Sequence, residues 1–112
     1  MKKSRSTVLI TGSTRGLGLA YARHLSKNGY DIALTDISEK ACQVYNELDN
    51  IDNLIVELER NGSKVGFKTC DLTKLNETTE MVDSFISEFG SIDGLVANAG
   101  GDVIGNDRRA SG

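Results

Sequence analysis

The chain of 112 residues has no proline, no tryptophan and only two cysteines, and aromatic residues make up only 5% of it. Because proline is absent, no proline-rich segment marks a linker, and the length suits one domain or part of one. Cys42 and Cys70 do not occur at metal-ligand spacing and indicate two reduced thiols rather than a disulfide framework. We expect Cys70 to end a buried strand as a small apolar residue.

Concentrated charge and long apolar runs are also missing. The net charge is −3 with lysine and arginine scattered along the chain, whereas a nucleic-acid or anionic membrane surface needs a basic patch. The basic residues Lys2, Lys3 and Arg5 precede an apolar run that breaks at Gly12, too short for a signal peptide or a membrane span. His24 has no cysteine or acid at ligand spacing. We therefore expect a cytoplasmic protein without a metal site and without a nucleic-acid or membrane partner.

Short apolar segments alternate with helical patterns along the chain. The apolar segments lack strict polar alternation, which is typical of strands in a parallel sheet that is covered on both faces. They lie at residues 8–10, 32–34, 65–67 and 95–97. This order predicts an α/β fold with a doubly wound parallel sheet that stops after about four strands. We expect one domain over residues 1–112, with 101–112 as a loop tail.

The connections between these strands are predicted to be helical. Apolar residues share one helical face over 17–25 and again over 82–89, where Gly90 ends the helix. The connection over 38–62 is less regular, and it can form one long helix from Ser38 or two short ones. Right-handed crossovers place the first two connections on one face of the sheet and the third on the other. The second face is therefore expected to be only partly covered.

A glycine-rich segment, TGSTRGLG at residues 11–18, lies between the first strand and the first helix. Such a turn presents unpaired N–H groups at a helix N-terminus, where the helix dipole also favours negative charge. Glycines let a pyrophosphate approach the backbone closely. The segment therefore predicts a phosphate-binding turn, although glycine-rich turns also serve simply to reverse the chain.

Polar residues follow the other three strands as well. Asp36 comes 18 residues after Gly18, close to the spacing of about 20 residues at which a carboxylate can accept hydrogen bonds from a ribose. Asp71 ends the third strand, and Asn98 follows the fourth. Because the carboxyl ends of parallel strands share one edge of the sheet, we expect these residues to line one crevice.

Together these motifs resemble the short-chain dehydrogenase/reductase family over nearly the whole chain. The resemblance implies a Rossmann-type fold that binds NAD or NADP. It implies that the pyrophosphate and nicotinamide end is lined by Gly12, Ser13, Gly16, Leu17 and Gly18. The adenosine ribose would be held by Asp36 and Ile37, and the adenine would be flanked by Asp71 and Leu72. The fourth strand would be supported, and the cofactor contacted, by Asn98, Ala99 and Gly100. A P-loop is disfavoured because no Lys-Ser or Lys-Thr pair follows the glycines.

The choice between the two cofactors depends on Asp36 and Arg15. A carboxylate at Asp36 would repel the 2′-phosphate of NADP but can accept the ribose hydroxyls of NAD. Arg15 lies next to Gly16, where a basic residue in the family often favours NADP, but an arginine on an exposed turn can equally be a solvated charge. The balance predicts NAD.

The family's catalytic residues are a serine and a tyrosine followed four residues later by a lysine. Here the residues four positions after the tyrosines are Leu25, Leu34 and Asp49, so no catalytic residue is predicted. The resemblance implies the N-terminal, cofactor-binding part of a longer homo-oligomeric NAD-dependent oxidoreductase that interconverts a small alcohol and a ketone or aldehyde. Two alternatives remain open: a dinucleotide-binding module without catalysis, and an inactive truncated product.

Overall fold

The structure is a computed structural model, and it describes residues 5–13, 16–37 and 51–98. Strands and helices alternate along these residues. In chain order they are β1 (Thr7–Thr11), α1 (Gly16–Lys27), β2 (Asp31–Asp36), α2 (Ile51–Glu59), β3 (Val65–Thr69), α3 (Leu75–Phe89) and β4 (Gly94–Ala97). Each strand contains its predicted apolar segment, so the four predicted strands are confirmed. The loop predicted at 101–112 and the helix start predicted at Ser38 lie outside the described residues.

The four strands form one parallel sheet in the order β3-β2-β1-β4. Strand β1 pairs with β2 from Thr7↔Asp31 to Thr11↔Thr35, and on its other side with β4 from Val8↔Gly94 to Thr11↔Ala97. The chain thus moves from β1 outward to β3 and then crosses back to the far side of β1. In open α/β sheets a ligand crevice forms at the carboxyl ends of the strands where the order reverses in this way.

Helices α1 and α2 cover one face of the sheet. Alternate strand residues, such as Ile10 and Leu34, are fully buried there because successive side chains of a strand point to opposite faces. They pack against Leu19 and Ala22 of α1 and against Ile51, Leu54 and Leu58 of α2. On the outer side, Arg23 Nε donates to Glu57 Oε2 at 2.8 Å and joins the two helices.

Helix α3 covers the opposite face, as the crossover rule predicted. Leu9 and Ala33 pack there against Met81, Phe85 and Phe89. Cys70 directly follows β3 and, as predicted for a small apolar residue, is buried in the same cluster, but β3 itself is only partly buried. The coverage is partial: Leu95, the register partner of Leu9, is 62% exposed.

Strand β3 forms one edge of the sheet in the described part of the chain, and lysines accompany it. Lys64 Nζ donates to the Glu88 carbonyl oxygen and lies 5.0 Å from the centroid of the Phe89 ring. Lys68 Nζ lies 5.6 Å from the centroid of the Phe85 ring. Both ammonium groups therefore rest on α3, over aromatic faces that attract a cation.

Two neighbouring residues of α3 test how much the α3 core stabilises the fold. Phe85 is fully buried, whereas Ile86 is 43% exposed. We expect Phe85→Ala to lower the free energy of unfolding by roughly 3–5 kcal/mol, because it removes a buried aromatic side chain and leaves a cavity. Ile86→Ala should cost less than about 1.5 kcal/mol. Urea denaturation followed by circular dichroism measures both, and equal losses would contradict the packing described.

Candidate dinucleotide-binding site

The candidate site is built where β1 and β4 end side by side. Thr11 Oγ1 accepts a hydrogen bond from the Asn98 N–H at 2.9 Å and donates one to the Val96 carbonyl oxygen at 3.4 Å. Asn98 Nδ2 also donates to the Gly12 carbonyl oxygen at 3.4 Å. The structure thus brings Asn98 into contact with the glycine turn. The sequence predicted that both would line one crevice.

Three glycines shape this turn. Gly12 and Gly16 have φ angles of 63° and 54°, a left-handed region that other residues adopt only with strain. Gly18 matters for a different reason. A Cβ atom on Gly18 would overlap the Gly12 carbonyl oxygen and lie 3.0 Å from Asn98 Nδ2. Only glycine therefore lets α1 begin this close to the end of β1.

The start of α1 has the properties of an anion site. Its first turn contains no acidic residue, so nothing on the helix itself opposes negative charge at its N-terminus. Leu17 in that turn is exposed. Because α1 follows the end of β1 and Gly18 lies against the Gly12 carbonyl, Gly16, Leu17 and Gly18 lie at the carboxyl edge of the sheet. Their contact with a pyrophosphate stays a prediction. Arg15, the remaining predicted residue of the turn, lies outside the described residues.

Ser13 is fully buried rather than exposed to the crevice. Its N–H donates to the Thr35 carbonyl oxygen at 3.2 Å, and its hydroxyl donates to the same oxygen at 3.1 Å. Thr35 immediately precedes Asp36 at the end of β2. The first half of the glycine turn is thereby tied to the neighbouring strand end, a contact that residue spacing alone did not reveal.

Asp36 is held in place from both sides. Its carboxylate Oδ1 accepts the Ile37 N–H at 2.9 Å, and its carbonyl oxygen accepts the Cys70 N–H at 2.9 Å. The residue is 5% exposed, while Ile37 is mostly exposed beside it. An acid and an apolar side chain thus stand together at the end of β2, as the sequence predicted.

Asp71 lies at the end of β3 in a turn that leads to α3. Its Oδ1 accepts hydrogen bonds from the Thr73 hydroxyl at 2.6 Å and from the Thr73 N–H at 3.0 Å. The Thr73 hydroxyl first, and its N–H second, hold the pKa of Asp71 below the ordinary value for an aspartate. Leu72 follows with its side chain exposed. Thr73 was not predicted, although an Asp followed two residues later by Thr is the pattern of a turn in which the carboxylate accepts N–H bonds.

The predicted residues Ala99 and Gly100 lie outside the described residues. Within 5–13, 16–37 and 51–98, no group of three or more histidine, cysteine or acidic residues is arranged to hold a metal ion. None of the helices described there is both long and apolar enough to cross a membrane.

Substitution of Gly18 tests the close approach of α1 to β1. We expect Gly18→Ala to destabilise the fold by about 3 kcal/mol, the upper end of the usual cost of overpacking, because the methyl group has to displace the backbone of Gly12. Gly16→Ala is the matched control, since a Cβ there meets no atom within 4 Å and only backbone strain opposes it. That strain costs about 1 kcal/mol. Thermal unfolding compares the two variants, and an equal loss in both would contradict the contact.

The acidity of Asp71 provides a second test. Thr73→Ala removes the hydroxyl donor, so the pKa of Asp71 should rise toward the ordinary aspartate value of about 3.9. Because the pKa is lower in the folded state, the carboxylate stabilises the fold above the unfolded-state pKa, and this contribution is lost as the pH falls through the folded-state pKa. Carboxyl NMR titration measures the shift. Thr78→Ala is the control, because the Thr78 hydroxyl donates to the Lys74 carbonyl oxygen and not to Asp71. An unchanged Asp71 titration in Thr73→Ala would refute the assignment.

Comparison with known proteins identifies similar chains with the same fold. A diacetyl reductase, (S)-acetoin forming, from Staphylococcus epidermidis (strain ATCC 35984) is 33% identical over 102 residues, covering 88% of this chain and 35% of the reductase. The crystal structure of a 3-oxoacyl-[acyl-carrier protein] reductase from Brucella melitensis in complex with NAD matches with a TM-score of 0.74 at 36% identity, covering 97% of this chain and 39% of that one. An actinorhodin polyketide ketoreductase with NADPH matches with a TM-score of 0.70 at 28% identity, covering 85% and 33%.

The chain thus spans about a third of the length of the relatives it matches. The similarity nevertheless extends over most of the chain itself. The model of the family described as short chain dehydrogenase matches residues 6–111, which include the glycine turn, Asp36, Asp71 and Asn98. The chain belongs to the short-chain dehydrogenase family.

Proposed function

We propose that this chain binds NAD at the carboxyl edge of its sheet and supplies the dinucleotide-binding part of an oxidoreductase. The reaction proposed is the interconversion of an alcohol and a ketone or aldehyde by hydride transfer. One observation carries the proposal: the glycine turn and the buried Asp36 lie at the ends of neighbouring strands and are joined through Ser13 and Thr35. A dinucleotide needs both a phosphate site and a ribose site, at a fixed separation.

The residues present suit a pyrophosphate. A Cβ on Gly18 would overlap the Gly12 carbonyl, so α1 can begin directly against the end of β1 only because residue 18 has no side chain. The first turn of α1 adds helix N–H groups and carries no acid. Gly12, Gly16, Leu17 and Gly18 would hold the phosphates and the nicotinamide end, and Asn98 would support the turn from β4.

Asp36 supports NAD over NADP. Its carboxylate can accept the two ribose hydroxyls of NAD, whereas a 2′-phosphate would bring a second anion against a carboxylate that has little solvent around it. Ile37 and Leu72 are exposed apolar side chains next to the two strand-end acids, and they would pack against the adenosine. Relatives of this chain bind either nucleotide, so the preference is a property of these residues and not of the family.

When bound, the nicotinamide would accept or donate the hydride. The chain's own residues would bind and orient the dinucleotide. We assign no catalytic residue: Tyr21 lies on α1 and Tyr30 packs against the core beside α1, and neither is followed by a lysine four residues later. A small alcohol or carbonyl substrate, a homo-oligomeric enzyme and a cytoplasmic location are part of the proposal through the family resemblance.

Calorimetric titration of the chain with NAD and with NADP tests this function. We expect saturable binding of NAD that is tighter than binding of NADP. Asp36→Asn keeps the size of the side chain and an acceptor for the Ile37 N–H but removes the charge. It should lower the affinity for NAD by about tenfold or more, because hydrogen bonds to a charged acceptor contribute about 1.5–3 kcal/mol.

The same substitution should narrow the preference for NAD, because the repulsion of the 2′-phosphate is lost. Asp52→Asn is the control, since Asp52 is an exposed acid on the first turn of α2. A folded chain that binds neither nucleotide would overturn the proposal. Binding of NAD that is indifferent to Asp36→Asn would remove the assigned ribose contact.

A further inference from the structure

Ser13 makes an unusual pair of contacts for a residue of a phosphate-binding turn. Both of its donors, the backbone N–H and the hydroxyl, bond to the carbonyl oxygen of Thr35, at 3.2 Å and 3.1 Å. The residue is fully buried. Neither donor is directed at a ligand in the crevice, although the position lies within the glycine-rich segment.

These contacts continue the pairing of β1 and β2 beyond the last register pair. That pair is Thr11↔Thr35, and Ser13 returns to the same residue of β2 after Gly12 has turned the chain. The carbonyl that Ser13 binds belongs to the residue directly before Asp36. The glycine turn and the acid are therefore connected by one side chain and one peptide unit.

We infer that Ser13 is a positioning residue, which sets the distance between the phosphate-binding turn and Asp36 and does not itself contact the cofactor. The inference rests on the proposed binding of NAD. The phosphates and the adenosine ribose of a dinucleotide are covalently joined, so a turn that moves relative to Asp36 cannot satisfy both sites at once. A fixed separation spares the cost of ordering the site when the ligand binds.

Ser26, on helix α1, provides a control for the loss of a buried serine hydroxyl. It is also fully buried, and its hydroxyl also donates to a backbone carbonyl at 3.1 Å, that of Leu58. It lies near the end of α1, far along the helix from the glycine turn. The Ser26 hydroxyl also bonds to the Ser63 hydroxyl at 2.8 Å and accepts a hydrogen bond from Asn61 Nδ2 at 3.1 Å. Ser26→Ala is therefore the more severe loss of buried hydrogen bonds, yet none of them ties α1 to the strand that carries Asp36.

The fold should survive loss of the Ser13 hydroxyl. In Ser13→Ala the Thr35 carbonyl keeps the bond from the residue 13 N–H, so no buried acceptor is left without a partner. Ser13→Cys is a second variant that fills the space and replaces a good donor with a weak one. Circular dichroism and thermal unfolding verify that each variant is folded before binding is measured.

The experiment is a double-mutant cycle in the calorimetric affinity for NAD. Ser13→Ala and Ser13→Cys should each weaken binding by about tenfold, while Ser26→Ala should change it by less than about twofold. In the Asp36→Asn background, Ser13→Ala should weaken binding by less than about threefold, because the position of the turn relative to residue 36 then matters little. AMP, which lacks the pyrophosphate, should bind Ser13→Ala and the unsubstituted chain within about twofold of each other.

A purely structural role for Ser13 gives a different pattern. Ser13→Ala would then lower the affinity for NAD by the same factor with and without the Asp36 carboxylate, or by the same factor as Ser26→Ala. Either result would overturn the inference about Ser13, while the proposal that the chain binds NAD would stand. If the unsubstituted chain binds no NAD, the proposed function itself fails and the inference fails with it. The two failures are distinguished by the first titration.

Discussion

The Gly12 carbonyl group is the point on which the carboxyl edge of this sheet depends. It accepts a hydrogen bond from Asn98 Nδ2, and the Cα of Gly18 packs directly against it. Three elements, β1, α1 and β4, therefore meet at one peptide unit. A side chain at residue 18 would separate them, so a single missing Cβ determines how the first helix leaves the sheet.

The rest of the crevice extends outward from this contact through backbone carbonyls. The Thr35 carbonyl receives Ser13, and the Asp36 carbonyl receives the Cys70 N–H. The end of β1 is thus attached to β2, and the end of β2 to the residue that follows β3, by hydrogen bonds at the last register pairs. Such bonds order polar loops that would otherwise remain solvated, and they place Asp36 and Asp71 along the same edge.

Much of this architecture was predictable because it depends on local patterns. Apolar segments such as 32–34 predicted the strands, and the handedness of crossovers placed α3 alone on the second face. Gly18 and Asp36 were identified by their spacing. The bonds of Ser13 to Thr35 and of Asn98 to Gly12 were not predictable, because the bonded residues are 22 and 86 positions apart and the contacts depend on tertiary packing. The family resemblance implied that Ser13 lines the cofactor, whereas its burial points to a different role.

Lys64 and Lys68 beside β3 affect how readily a second copy of the chain can pair with this strand. An edge strand presents unpaired N–H and C=O groups on which another chain can add a strand. Lys64 and Lys68 rest their ammonium groups on the rings of Phe89 and Phe85 next to this edge. A strand approaching from outside would have to bury these cations or displace them from the aromatic faces. Burying a cation is costly, so these lysines oppose intermolecular β-pairing along β3, which is an edge in the part of the chain that the structure describes.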